Sequence, residues 1–377
     1  MPKNLASRDG KACDPLTDRV ILVDASVYFF RSLFSPFVQR DAIINDDGYS
    51  IATAKAFGRW LIRLLANSNT DMIAVCFDES LGSGFRNDIY APYKSSREEP
   101  CDATIYEMSV CQSICHMLGL STFASPTHEA DDLIATLARV AHDHGHPVTV
   151  LSSDKDLFQV LTTKGDLLYD FPQGDPYDRH ACFEKLGVWP GQVSDFLALT
   201  GDRVDDIPGV PGVGPKSAAK LLSSVYSLDQ LYEKDPDAVK RLEDRKCKIA
   251  SLDDSVEETS NQPRPCLCKT VREKPELESI AEKIVPYTDQ LAINCRLTAL
   301  DSYAPLVVST DEIDDRRIDH IDSMHYLARG PADLDALEYF CEALSFTLPL
   351  GDLPCDLAVI DYDDPAPLRL IKGGLDG

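Results

Sequence analysis

No stretch of this 377-residue sequence approaches the roughly 18 consecutive apolar residues that a membrane-spanning helix requires, which argues against a membrane protein. The N-terminal MPKNLASRDGKACDPLTDR has no apolar core of the kind a secretory signal needs, so residues 1–18 are expected to form a short disordered leader. No internal repeat is present. Basic residues are scarce: 37 Lys and Arg stand against 62 Asp and Glu, a net charge of −25. That scarcity excludes the broad basic face of an ordinary nucleic-acid binder, so any such contact has to rest on local patches. Residues 301–377 are the most one-sided, with 17 acidic and 5 basic residues and a net charge of −12. Zinc-ligand spacing is also missing. Neither Cys111/Cys115 nor Cys266/Cys268 has partner cysteines or histidines, and His142, His144 and His146 read as a polar turn between a helix and a strand. Twelve cysteines without a signal peptide therefore read as reduced thiols of a cytoplasmic protein.

What is present is a regular placement of acids. Three apolar runs each end in aspartate: VILVD at Asp24, MIAVCFD at Asp78 and VTVLSSD at Asp154. Continuous apolar runs rich in β-branched residues predict buried parallel strands, and ligands of such sheets bind beyond the carboxyl ends of the strands. The three aspartates should therefore face one crevice, and Asp156 can turn into it. HEADDLIATLARVA adds Glu129, Asp131 and Asp132 at the start of an amphipathic helix, where acids also serve as caps. So many carboxylates share a cleft only if cations neutralise them, and an all-oxygen donor set points to Mg²⁺ or Mn²⁺.

The segment GDRVDDIPGVPGVGPKSAAKLL (201–222) places Asp202 and Asp205 in a loop before the turn Gly212-Val213-Gly214. Pro215 then opens a helix carrying Lys216 and Lys220 on one face. Free N–H groups at such a helix start bind anions, and the two lysines suit a phosphate backbone held without base reading. By itself the turn is equally a plain connection between helices. The acids decide between the readings.

In order along the chain, VDASVYFFR, VCFD, FRNDIYAPYKSSR, HEADD, SSDKDL, GDRVDDIPGVPGVGPKSAAK and LAINCRLTALD resemble the motifs of the 5′→3′ exonuclease and flap endonuclease family. The form they resemble is the nuclease part of bacterial DNA polymerase I, here without a polymerase segment. The resemblance covers about residues 20–300. It implies a PIN-like α/β nuclease core with a central, mostly parallel sheet over 19–189 and a helical arch at about 79–104. A helical DNA-binding domain with a helix-three-turn-helix motif would follow over 190–300, and an acidic extension of unassigned role over 301–377.

The resemblance further implies a site split between two Mg²⁺ ions, with Mn²⁺ able to substitute. Asp24, Asp78, Glu129, Asp131 and Asp132 would serve mainly the first ion, and Asp154, Asp156, Asp202 and Asp205 mainly the second. K⁺ is a further candidate at the helix-hairpin-helix motif. Arg86 and Lys94 are the expected catalytic cations of the arch. Arg97, Tyr93, Gly212, Val213, Gly214, Lys216 and Lys220 are the expected DNA contacts. The cations interleaved with Tyr90 and Tyr93 suit a threaded single strand. Asp206 stands where the family usually has asparagine, and residues 253–275 read as a loop insertion. The expected activity is structure-selective, metal-dependent hydrolysis of DNA at 5′ ends or flaps, in replication or repair, with no membrane and no named protein partner. Two alternatives stay open: an RNA- or hybrid-directed nuclease of the same architecture, and a non-catalytic junction binder.

Overall fold

The structure, a computed structural model, describes residues 14–40, 44–45, 48–80, 84–225, 227–228, 277–308, 316–318, 324–354, 357 and 359. The expected leader, apart from its last five residues, and the 253–275 insertion lie outside them. In chain order the elements are β1 (Val20–Asp24), α1 (Ala25–Leu33), α2 (Pro36–Arg40), α3 (Ala52–Asn67), β2 (Ile73–Cys76), α4 (Phe85–Ile89), α5 (Asp102–Met117) and β3 (Ser121–Ala124). There follow α6 (Ala130–Asp143), β4 (Val148–Leu151), β5 (Leu167–Tyr169), α7 (Arg179–Leu186), α8 (Val193–Thr200) and α9 (Pro215–Leu222). The last are α10 (Glu278–Ile284), α11 (Thr288–Thr298), β6 (Leu306–Val308), β7 (Arg316–Ile318) and α12 (Leu334–Ala343).

The strands form one sheet in the order β5-β4-β1-β2-β3-β6-β7. The first five are mutually parallel, as the apolar runs predict, and every residue of β1, β2 and β4 is buried. From β1 the chain builds outward through β2 and β3, then returns to add β4 and β5 on the other side. The β1/β4 junction is therefore the switch point of the sheet, where a crevice opens beyond the strand ends.

Two apolar layers cover the sheet, and the period of two along β1 divides its residues between them. Val20 and Leu22, with Ala74 and Cys76 of β2, pack beneath Leu133, Ile134 and Leu137 of α6. Ile21 and Val23, with Ile73 and Val75, pack against α1, α3 and α5 through Phe29, Phe57, Leu61 and Ile114. The α6-side cluster continues without a break into Val193, Leu199, Leu221 and Leu291, so the helices after residue 190 share a core with the sheet. Seven described cysteines are free thiols. No helix among the described residues is long and apolar enough to cross a membrane.

The described part of residues 301–377, expected as an acidic extension of unassigned role, packs on the rest of the chain. β6 pairs antiparallel with β3 (Phe123 opposite Val308), and β7 pairs antiparallel with β6. The chain then runs back along the N-terminal domain: the amide N–H groups of Arg329, Gly330 and Asp333 donate to the carbonyls of Asp71, Gly119 and Met117 at 2.7–2.8 Å. Asp333 caps α12, which buries Leu337 and Cys341, four residues apart on one face, in the α3/α5 layer together with Phe346. The few apolar residues of this segment decide where it packs.

Candidate active site

Asp24 ends β1 and caps α1, accepting the Val27 N–H at 3.3 Å with Oδ1 and the Ser152 hydroxyl at 2.8 Å with Oδ2. Ser152 follows β4, so this hydrogen bond bridges the two central strand ends. Asp78, two residues beyond β2, accepts both the N–H and the hydroxyl of Ser80 with Oδ1. Glu129 caps α6 in reciprocal fashion with Asp132, and Asp131 lies in the first turn of that helix. Asp154 and Asp156 follow β4, with the Asp156 N–H donating to Asp154 Oδ1 at 2.9 Å. Strand ends and one helix start thus deliver the acids to a single crevice.

Their titration shows how crowded the crevice is. Burial raises Asp24 to about 6, with the charges of Asp154 and Asp78 acting in the same direction. Asp131 lies well above the usual carboxylate range through burial and the charges of Asp154 and Asp24. Asp156 is pushed to about 8 by burial, Asp154, Asp202 and Asp205. Burial and Glu129 raise Asp78. The charge of Asp154 is thus felt by Asp24 and Asp131 on one side and by Asp156 on the other. Among the described residues no three acidic, His or Cys side chains already converge as a preformed ion-coordinating set. The donor set is entirely carboxylate oxygen, which fits a hard divalent ion.

Three basic side chains enter the same region. Lys94 Nζ lies 2.5 Å from Glu129 Oε1 and 3.7 Å from Asp205 Oδ2. Burial works against the Lys94 charge, but Glu129 and Asp205 hold its pKa above the ordinary lysine value. Burial likewise pushes Glu129 up, and Lys94 and Arg86 outweigh it, leaving Glu129 below the usual range. Arg97, half-exposed, pairs with Asp205 Oδ1 at 2.5 Å.

Arg86 differs from the expectation that it is a catalytic cation. It is 3% exposed, pairs bidentately with Asp132 and donates to the carbonyls of Leu297 and Ala299 at 2.7 and 3.0 Å. Asp132 also receives the N–H groups of Glu129 and Asp301, so both its oxygens, expected as metal ligands, are engaged by the protein's own donors. Together the two residues tie the start of α6 to the end of α11. Tyr93 is corrected as well. It is 3% exposed, and its hydroxyl donates toward Glu129 at 3.0 Å and Asp205 at 3.3 Å, so it holds carboxylates where a base-stacking ring was expected.

Asp202 and Asp205 arrive on a tight turn between α8 and α9. Gly201 has φ +74°, and a Cβ there would lie 2.3 Å from the Gly209 nitrogen, so only glycine lets the two limbs of the turn touch. Asn294 of α11 pins those limbs by donating to the carbonyls of Ala198 and Pro208. Within the turn Asp202 Oδ1 accepts the N–H groups of Val204 and Asp205. The unexpected member is Asp206, whose backbone is left-handed at φ +57° and whose Oδ2 accepts the Ser96 N–H at 2.8 Å. That bond holds the Asp206 carboxyl below its usual range. Its departure from the asparagine expected at this position was the sequence signal for it.

The Gly212–Gly214 turn leads into α9 with Gly214 as cap and Pro215 at the first helical position. Lys216 and Lys220 are exposed, opposite the buried Ala218, Leu221 and Leu222. Val213 is 4% exposed, so its side chain packs in the core, which leaves the turn's backbone as what Val213 can offer a phosphate. Lys283 of α10, which the sequence reading passed over, donates to the Gly212 carbonyl at 3.1 Å and adds a third ammonium beside the turn.

Residues 19–187 match the 5′-3′ exonuclease N-terminal resolvase-like domain, and residues 188–321 match the 5′-3′ exonuclease C-terminal SAM fold. DNA polymerase I of Rhizobium leguminosarum is 36% identical over 244 residues, 63% of this chain and 23% of the polymerase. The chain thus spans less than a quarter of that relative's length. The 5′-3′ exonuclease of Bacillus subtilis is 32% identical over 220 residues, covering 57% of this chain and 73% of that protein. Among solved structures, the bacteriophage T5 5′-exonuclease with bound zinc superposes with a TM-score of 0.50 at 17% identity, over 75% of this chain and 90% of that one, a likeness of fold. With both domain matches running through the acid crevice and the Gly212–Gly214 turn, the chain belongs to the 5′-3′ exonuclease family.

Proposed function

We propose that this chain is a structure-selective 5′ nuclease that hydrolyses DNA phosphodiester bonds at 5′ ends or flaps with the help of divalent cations, and that it works in DNA replication or repair in the cytoplasm. The observation that carries this reading is the position of Asp154, whose charge acts on Asp24 and Asp131 of one acid group and on Asp156 of a second. On this reading Asp24, Asp78, Glu129 and Asp131 would hold one ion, and Asp154, Asp156, Asp202 and Asp205 the other. Two divalent ions, Mg²⁺ by preference or Mn²⁺, would supply a lowered pKa for the attacking water and charge compensation for an in-line displacement.

The chain's own side chains do the rest. Lys94, already paired with Glu129, can donate its ammonium protons to an oxygen of the reacting phosphate. Tyr93 keeps the Glu129 and Asp205 carboxylates in register from below. Lys216, Lys220 and the backbone of the Gly212–Gly214 turn grip duplex phosphates without reading bases, and DNA polymerase I relatives favour DNA as that duplex. Lys283 already meets the Gly212 carbonyl and the Gly214 carbonyl accepts the Ser217 and Ala218 N–H groups, so a K⁺ ion there would have to share this turn's oxygens with those donors.

The test uses matched 5′-flap, nicked-duplex and blunt substrates in DNA and RNA, each with Mg²⁺ or with EDTA. Metal-dependent cleavage of the DNA flap is expected. Preference for the RNA flap would move the substrate class, and binding without cleavage under every condition would favour a junction binder.

A further inference from the structure

The 94–97 turn lies across the 202–207 turn and is tied to it three times within four residues. The Lys94 N–H donates to the Asp205 carbonyl at 3.0 Å, the Ser96 N–H to Asp206 Oδ2 at 2.8 Å, and the Arg97 guanidinium to Asp205 Oδ1 at 2.5 Å. The two residues on either side of this junction, Lys94 at φ +52° and Asp206 at φ +57°, are among only four non-glycine residues of the described chain with positive φ. Left-handed backbone is unfavourable for a long side chain such as lysine and persists only where the surroundings hold it. Aspartate tolerates it better, because its short polar side chain bonds nearby backbone. The junction is therefore a held geometry, and the Lys94 ammonium over Glu129 is what it holds in place.

We infer that Asp206 is a positioning residue: by accepting the Ser96 amide it sets where the 94–97 turn stands, and through that turn where the Lys94 ammonium meets the carboxylate crevice. The inference rests on the nuclease reading of that crevice. The side-chain ties through Asp205, to Arg97 at 2.5 Å and to the Lys94 ammonium at 3.7 Å, involve a carboxylate that the same reading gives to an ion, so drawing Asp205 inward would loosen them. Asp206 accepts the Ser96 amide and is not among the carboxylates that this reading gives to an ion.

Two variants separate acceptor from backbone. Asp206→Asn keeps both an oxygen acceptor and tolerance of left-handed backbone, whereas Asp206→Gly keeps the backbone freedom and loses the acceptor. In the full-length protein without DNA or added metal, hydrogen exchange of a peptide covering residues 93–99 is expected to quicken roughly tenfold in Asp206→Gly. In Asp206→Asn it should stay close to the parent. On a 5′-flap substrate Asp206→Gly should lose kcat severalfold with KM little changed, and Asp206→Asn should regain most of it. Unchanged exchange in Asp206→Gly, or an Asp206→Asn variant that behaves like Asp206→Gly in both assays, would overturn the positioning role. An inactive parent protein would instead overturn the nuclease reading, while the exchange arm still decides what Asp206 holds.

Discussion

Arg86 and Asp132 face each other in a buried, two-pronged ion pair, Nη1 to Oδ2 at 2.6 Å and Nη2 to Oδ1 at 2.8 Å. Arg86 spends two further donor bonds on the end of α11. The pair thus joins the first nuclease domain to the helical one directly behind the carboxylates.

Removing one member leaves the other charged and unpaired inside the protein. Arg86→Met should therefore cost about 3–5 kcal/mol of stability, read as a shift of the denaturant midpoint. Full stability combined with lost cleavage would return Arg86 to the catalytic role that its place in the arch motif suggests.

Asp154 carries the opposite expectation. Asp154→Asn removes a repulsive charge felt by three other acids, so without divalent ions the thermal midpoint should hold or rise. In the same variant the stabilisation conferred by Mg²⁺ should shrink, and cleavage should fall by orders of magnitude. An undiminished Mg²⁺ shift would remove Asp154 from the ion site.

Lys216 and Lys220 project from the exposed face of α9 beside the glycine turn. Replacing both with alanine should weaken duplex binding and lower the slope of log K against log salt by about one to two units. Fluorescence anisotropy over a salt series measures it. A slope equal to that of the parent would place the phosphate grip elsewhere.

Truncation after residue 302 deletes β6, β7 and α12. It exposes the core surface that Leu337, Cys341 and Phe346 cover, the leucine and the phenylalanine each being worth about 1.5–3 kcal/mol when fully buried. The shortened chain should be poorly soluble or melt well below the parent. A cooperatively folded, active truncation would show the acidic segment to be an accessory after all.

How much of this was legible beforehand can be argued residue by residue. Apolar runs ending in aspartate depend only on local composition, and with them came the parallel strands, the strand-end positions of Asp24, Asp78 and Asp154, and the crevice at the sheet's switch point. The Gly-Val-Gly-Pro turn with two lysines on one helix face was equally local, because glycine, proline and helical spacing act within a few residues. Partner choice is not local. Arg86 and Asp132 lie 46 residues apart and read as two members of an active site until packing buries them against each other. Tyr93 read as a stacking ring until its hydroxyl met Glu129 and Asp205. Asp206 stood out in the sequence only as an extra charge, and its meaning depends on an amide 110 residues away. The role of the acidic C-terminal segment was not legible for the same reason: charge is summed along the chain, whereas the side on which Leu337 and Cys341 pack is decided by the shape of a sheet edge and helix pair that the rest of the protein must first build.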